Sequence, residues 1–169
     1  AEQLIGQAVS VAQKAAQRDV YHQCRISQAL VALDKGGPLG VQFQEQVMAA
    51  YRYGQTMGIP RLECEALRLQ ALVLLWQGER MLGGTFASQA AAIANRLGLR
   101  LTKLAALQTY GQALKRRGQF AAAQQVLSEA FREAERRGYQ NLLSLEGAEL
   151  SLPSDTNPQS IRPASRPAI

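Results

Sequence analysis

The segment that decides the fold is RRGQFAAAQQVLSEAFREAERRG, residues 116–138, which opens and closes on the same Arg-Arg-Gly triplet. Between the triplets, Phe120, Ala123, Leu127, Ala130, Phe131 and Ala134 recur at the three- and four-residue spacing of a single helix face. A glycine just past a helix end enters the left-handed conformation at little cost. Arginines in a last turn favour the negative end of the helix dipole by roughly 0.3–1 kcal/mol each. Both triplets therefore read as helix ends rather than as a basic binding mark used twice.

Working outward, the same punctuation recurs. Gly58, Gly98 and Gly138 lie forty residues apart, as do Gly78 and Gly118. Ala50, Ala90 and Ala130 keep that step, as do Gly54, Ala94 and Ala134, and Cys24 and Cys64. A fixed period between 20 and 50 residues is the mark of a repeat architecture. Leu107, Tyr110, Gly111 and Leu114 add a second helical stripe, giving two amphipathic helices per repeat.

The pattern predicts helices over 1–17, 20–34, 40–57, 60–77, 84–97, 100–117, 120–137 and 139–150, and no strand. Pro60 suits a first helical turn, and Gly36-Gly37-Pro38 separates the second helix from the third. Residues 151–169 carry four prolines and no apolar period, which predicts an extended or disordered tail after a repeat domain spanning 1–150. The chain opens on what reads as the second helix of a repeat and closes on an unpaired first helix. It therefore reads as a piece of a longer array.

Residues 116–130, with Gly111 before them, resemble a tetratricopeptide repeat (TPR), and the resemblance extends over roughly residues 1–150. Gly111 fits the small position of the family's first helix, Gly118 the turn, Phe120 the aromatic opening the second helix, and Ala123 and Ala130 its small positions. Leu127 holds the large apolar place between them. In the preceding copy Ala71, Gly78, Gly83 and Ala90 match, while Arg80 replaces the aromatic and Ala87 the large residue. The earliest copy departs further, with Pro38 and Gly40 in the turn and aromatic places. The forty-residue step exceeds the family's usual 34 and is similar to the long repeats of MalT-like transcription regulators. The resemblance implies an all-α, right-handed superhelical solenoid of antiparallel helix pairs whose first helices line a concave groove.

By the family's geometry the groove-facing candidates are Arg25, Gln28 and Lys35, then Glu65 and Arg68, then Gln108, Gln112 and Lys115. Such cationic and amide groups suit an extended peptide or an acidic motif. The Lys/Asn clamp that some members use for chaperone C-termini is not found. Trp76, closing the apolar run ALVLLW (71–76), is a candidate partner anchor whose plainer role is to fill a junction between repeats.

Little here points to catalysis. The single histidine, His22, reads as a packing or surface residue, and no zinc quartet or phosphate-binding loop is spelled out. Gly83-Gly84-Thr85 reads as a close inter-helix approach followed by Thr85 as an N-cap. Catalytic, metal and cofactor sites are therefore not expected. Two cysteines fit a reducing compartment, and no apolar run reaches the roughly 20 residues a bilayer requires. The expectation is an intracellular, cytoplasmic chain, with the nucleus left open.

The leading functional expectation is a non-enzymatic scaffold binding a protein or peptide, with self-association through open repeat ends or the tail. One alternative is a ligand-sensing segment of a signal-transduction ATPase or transcription regulator. A third, less favoured, is nucleic-acid binding. From Arg96 to Arg137 nine cationic residues face three glutamates, within a chain of formal charge +6. The aromatics among them, Tyr110, Phe120 and Phe131, are already assigned to the helical stripes rather than to base stacking, and the helix-end role already accounts for four of the arginines.

Overall fold

The computed structural model describes residues 2–34 and 41–139. The predicted helix over 139–150 lies outside them beyond Tyr139, as do the 151–169 tail and Lys35. Seven helices occupy the described residues: α1 (Glu2–Lys14), α2 (Arg18–Asp34), α3 (Val41–Met57), α4 (Pro60–Trp76), α5 (Arg80–Arg96), α6 (Arg100–Arg116) and α7 (Phe120–Arg136). The last five are all 17 residues long.

One device ends these five helices. Gly58, Gly78, Gly98, Gly118 and Gly138 take φ of 62°, 86°, 67°, 74° and 70°. After each glycine, the next residue's N–H donates five residues back, as from Glu79 to Leu74 (2.8 Å), Leu99 to Ala94 (2.9 Å) and Gln119 to Leu114 (2.9 Å). This is the closure that satisfies orphaned carbonyls at a helix C-terminus. The turn after α1 has the same bond, Gln17 N–H to Ala12 at 3.0 Å, but Ala16 stands in the left-handed position at φ 54°.

Each helix packs on its sequence neighbours; α2 also touches α4, and α4 touches α6, whereas α3, α5 and α7 do not touch one another. The described chain is thus a stacked, all-α array with an even row in mutual contact and an odd row that is not. Helix α4 is central: Leu62, Leu67, Leu69, Leu72, Val73 and Leu75 are all buried. Burial of each such side chain contributes about 1.5–3 kcal/mol. One core cluster joins Ile26 and Leu33 to Val47 and Leu69; another joins Leu67 to Ala90, Leu104, Leu107 and Ala130.

Helix α5 corrects the sequence reading. It starts at Arg80, four residues before the predicted start at 84, and runs straight through Gly83 and Gly84. Thr85 is no N-cap; its hydroxyl donates back to the Met81 carbonyl at 3.1 Å. The glycines look like breakers in sequence, but both are buried where α4 and α6 flank α5. A Cβ on Gly83 would lie 2.8 Å from Leu75 Cγ, and one on Gly84 would lie 3.7 Å from Ala113 Cβ.

The departures between copies compensate in volume. In the last copy a Cβ on Gly111 would lie 2.6 Å from Leu127 Cγ, so a large residue on α7 fills the space that a glycine leaves on α6. Forty residues earlier the same two places hold Ala71 and Ala87, both fully buried. Arg80, standing where the pattern has an aromatic, donates instead to the Arg116 carbonyl at the end of α6 (3.0 Å). Arg116 in turn donates to the Leu75 carbonyl in the last turn of α4 (3.0 Å). The first Arg-Arg-Gly triplet is therefore both a helix end and a tie between repeats.

Candidate functional site

The candidate groove residues that lie among the described residues fall on the even row. On α2, Arg25 Nη1 donates to Gln28 Oε1 at 2.9 Å. On α4, Glu65 accepts from Arg61 Nε at 2.9 Å and from Gln23 Nε2 of α2, so its charge is already answered. Arg68 is partly buried one turn further on. On α6, Gln108 and Gln112 are partly buried and Lys115 is exposed in the last turn.

A depression of about 450 Å³ lies between α4 and α6, lined by Arg61, Glu65, Arg68, Arg100, Leu101, Thr102 and Ala105. It brings Glu65 and Arg68 together. Arg25, Gln28, Gln108, Gln112 and Lys115 do not line it, and Trp76 is partly buried at the far end of α4. Sequence reasoning missed the contributions of Arg61, Arg100, Leu101 and Thr102. The signal for Arg61 was its i,i+4 relation to Glu65. For the first turn of α6 there was none, because only the packing of α4 against α6 draws it to the site.

The even row also keeps unused polar capacity. Arg25 Nε, Arg68 Nε, Gln70 Oε1 and Gln112 Oε1 are buried without a hydrogen-bond partner, and all four belong to α2, α4 or α6. Such groups cost stability unless water or another molecule satisfies them.

A larger depression, about 1160 Å³, runs along α7 and is lined by Lys103, Gln124, Ser128, Glu129, Arg132, Glu133 and Arg136. Its charges largely answer one another. Lys103 Nζ sits 2.8 Å from Glu133 and 3.4 Å from Glu129, and Arg137 Nε sits 3.7 Å from Glu133. The hydrogen bond to Glu133 raises the Lys103 pKa and lowers that of Glu133. Size alone therefore does not make this the binding site, and several cations of the 96–137 stripe are engaged in holding the fold.

Elsewhere, His22 packs as the sequence reading expected, stacked on Tyr53 at 4.6 Å and edge-on to Tyr21 at 5.4 Å. Partial burial pushes its pKa down, aided by Arg18 and opposed by Asp19, whose carboxylate accepts from the Tyr53 hydroxyl. Cys64 is buried, with a pKa pushed up to about 11 by burial, and Cys24 is partly exposed. Among the described residues no group of three or more His, Cys, Asp or Glu is placed to hold a metal ion, and no helix is long and apolar enough to cross a membrane.

The chain matches no family model, no curated protein and no solved structure. What the fold and the row define is a class: an all-α helical-repeat arrangement built from sequentially packed helices.

Proposed function

We propose that this chain is a non-enzymatic interaction module that holds a partner protein, as an extended peptide or a helix, along the row formed by α2, α4 and α6. In this reading the repeats are of the TPR type, coiled in a right-handed superhelix with the even row on the concave side. The contacts among the even helices, with none among the odd ones, support a curved array of this kind. The observation that carries the reading is the set of buried, unpartnered polar atoms on Arg25, Arg68, Gln70 and Gln112, all on that row. An extended peptide offers alternating N–H and C=O groups that side chains with such spare capacity can engage.

The test is capture of a partner from the source cell's lysate by the wild-type chain and by an Arg25→Glu, Arg68→Glu, Lys115→Glu triple variant. Circular dichroism first establishes that both are folded. Binding that is lost in the triple variant supports the row as the interface. Equal capture by both removes it.

A further inference from the structure

Many cations of α5, α6 and α7 are already engaged. Lys103 holds Glu133 at 2.8 Å and Glu129 at 3.4 Å, and Arg137 approaches Glu133 at 3.7 Å. Arg80 and Arg116 donate to backbone carbonyls at 3.0 Å each. The depression between α4 and α6 differs. Arg61, Arg68 and Arg100 line it against a single acid, Glu65, which is already held by Arg61 Nε at 2.9 Å and by Gln23 Nε2. Arg68 has no hydrogen bond or ion pair among the described residues, and its Nε is buried without an acceptor. Arg100 is exposed, and it adds to the field on Glu133 only after Lys103 and Arg137.

Two guanidinium groups therefore border one hollow with no carboxylate of the described residues paired to either. A guanidinium does not lose its proton in a protein, so neither charge can be shed, and a concave wall concentrates their field. Several features decide what fits. A hollow of about 450 Å³ lies within the roughly 300–1,000 Å³ of ligand pockets, which suits a few side chains and not a folded surface. Glu65 in its wall disfavours a doubly charged phosphate or a phosphodiester chain more than a single carboxylate. The planar fork of arginine matches a carboxylate's two oxygens. Leu101, 53% exposed, lines the same hollow and offers an apolar rest, whereas no aromatic among the described lining residues is placed to stack a base.

We infer that this depression receives the carboxylate of an aspartate or glutamate in a partner peptide, held by Arg68 and Arg100, with a nearby aliphatic side chain of that peptide resting on Leu101. The inference rests on the reading of the even row as a peptide seat, and it names the residue type that the seat selects. Arg61 takes no direct part; it restrains Glu65, which would otherwise repel the incoming acid. The first turn of α6 adds to the attraction, because no side chain caps its N-terminal N–H groups and they carry partial positive charge.

The test is selection of random phage-displayed peptides on the immobilised full chain, followed by titration of a synthetic copy of the selected peptide. Selected peptides are expected to share an aspartate or glutamate with an aliphatic residue nearby. Replacing that acid by its amide should weaken binding by roughly tenfold or more, and Arg68→Gln and Arg100→Gln should each do the same. Against the amide peptide neither variant should lose anything further, an outcome that a merely structural arginine would not give. Arg100 is exposed, so its variant keeps the test open even where substitution of the partly buried Arg68 disturbs folding. On Arg100→Glu, selection should return peptides with lysine or arginine in place of the acid. Peptides that fail on the Arg25→Glu, Arg68→Glu, Lys115→Glu variant yet carry no acid, or that are indifferent to the amide and to Arg100→Gln, overturn this inference and leave the even row as the seat. A library that yields no binder, or binders held equally by the triple variant, overturns both. Displacement of the peptide by oligouridylate but not by polyglutamate assigns the hollow to nucleic acid and overturns the inference as well.

Discussion

Replacing Gly83 with alanine sets two effects of known sign against each other. Alanine is the better helix former, by about 1 kcal/mol in a helix interior. Yet the new Cβ would stand 2.8 Å from Leu75 Cγ, 3.0 Å from Leu75 Cδ2 and 3.1 Å from the Ala71 carbonyl oxygen. Leu75 is 0% exposed, and the Ala71 oxygen belongs to the backbone of α4. Relief requires α5 to move away from α4, and overpacking of that kind costs about 1–3 kcal/mol. The overpacking cost is expected to dominate, for a net loss of up to about 2 kcal/mol, which for a chain of this size lowers Tm by about 2–4 °C per kcal/mol. Gly111→Ala is the internal comparison. Its Cβ would approach Leu127 more closely, at 2.6 Å, but Leu127 is only partly buried and its side chain can turn aside. Its loss is expected to be the smaller of the two. Urea unfolding followed by far-UV circular dichroism, with an unchanged denaturant slope, gives both values. If Gly83→Ala matches or exceeds the wild type in stability, helix propensity governs this site and the close approach of α4 and α5 is not what the glycine is for.

Three further outcomes follow from the same structure. Ala16→Gly relieves the left-handed strain after α1 and is expected to raise stability by about 1 kcal/mol, whereas Gly118→Ala should lower it by a similar amount; thermal melts compare the two. The Lys103–Glu133 pair makes stability pH-dependent at both extremes. Glu133, with its pKa lowered, contributes above its ordinary value of 4.5 and loses that contribution as pH falls through its lower folded value. Lys103, with its pKa raised, contributes fully below its ordinary 10.5 and loses it as pH rises through its higher folded value. Glu133→Gln should therefore be less stable than wild type at neutral pH and equal to it in strong acid, and a constant deficit across that range would contradict the assignment. At neutral pH an alkylating reagent should label Cys24 and spare Cys64 until the chain unfolds; mass spectrometry that finds Cys64 modified in the folded state would show its burial to be wrong.

Much of the array was legible in the residues because its punctuation is local. A glycine with positive φ is demanded by the helix end itself, so Gly58, Gly98 and Gly138 could be read without knowing what α3, α5 or α7 touch. Gly83 and Gly84 were legible as a close inter-helix approach but were placed before the helix rather than inside α5, for the complementary reason. Their role is set by Leu75 and Ala113 on neighbouring helices, and nothing local separates a glycine kept for approach from one that breaks a helix. The candidate site divides in the same way. Arg25, Glu65 and Arg68 could be placed on the first helices from the repeat phase, whereas the share taken by Arg100, Leu101 and Thr102 arises only where α4 meets α6.

By itself, then, the sequence determined the helical period and the glycine closures, since both rest on contacts within a few residues. Only the tertiary structure decided which polar groups are used. It ties Arg116 to α4 and Arg80 to α6, answers Glu65 from two sides, and leaves Arg68 and Gln112 with unpaired atoms on the even row. Those outcomes depend on side chains some forty residues apart meeting across packed helices, and a one-dimensional pattern carries the phase of such meetings but not their partners.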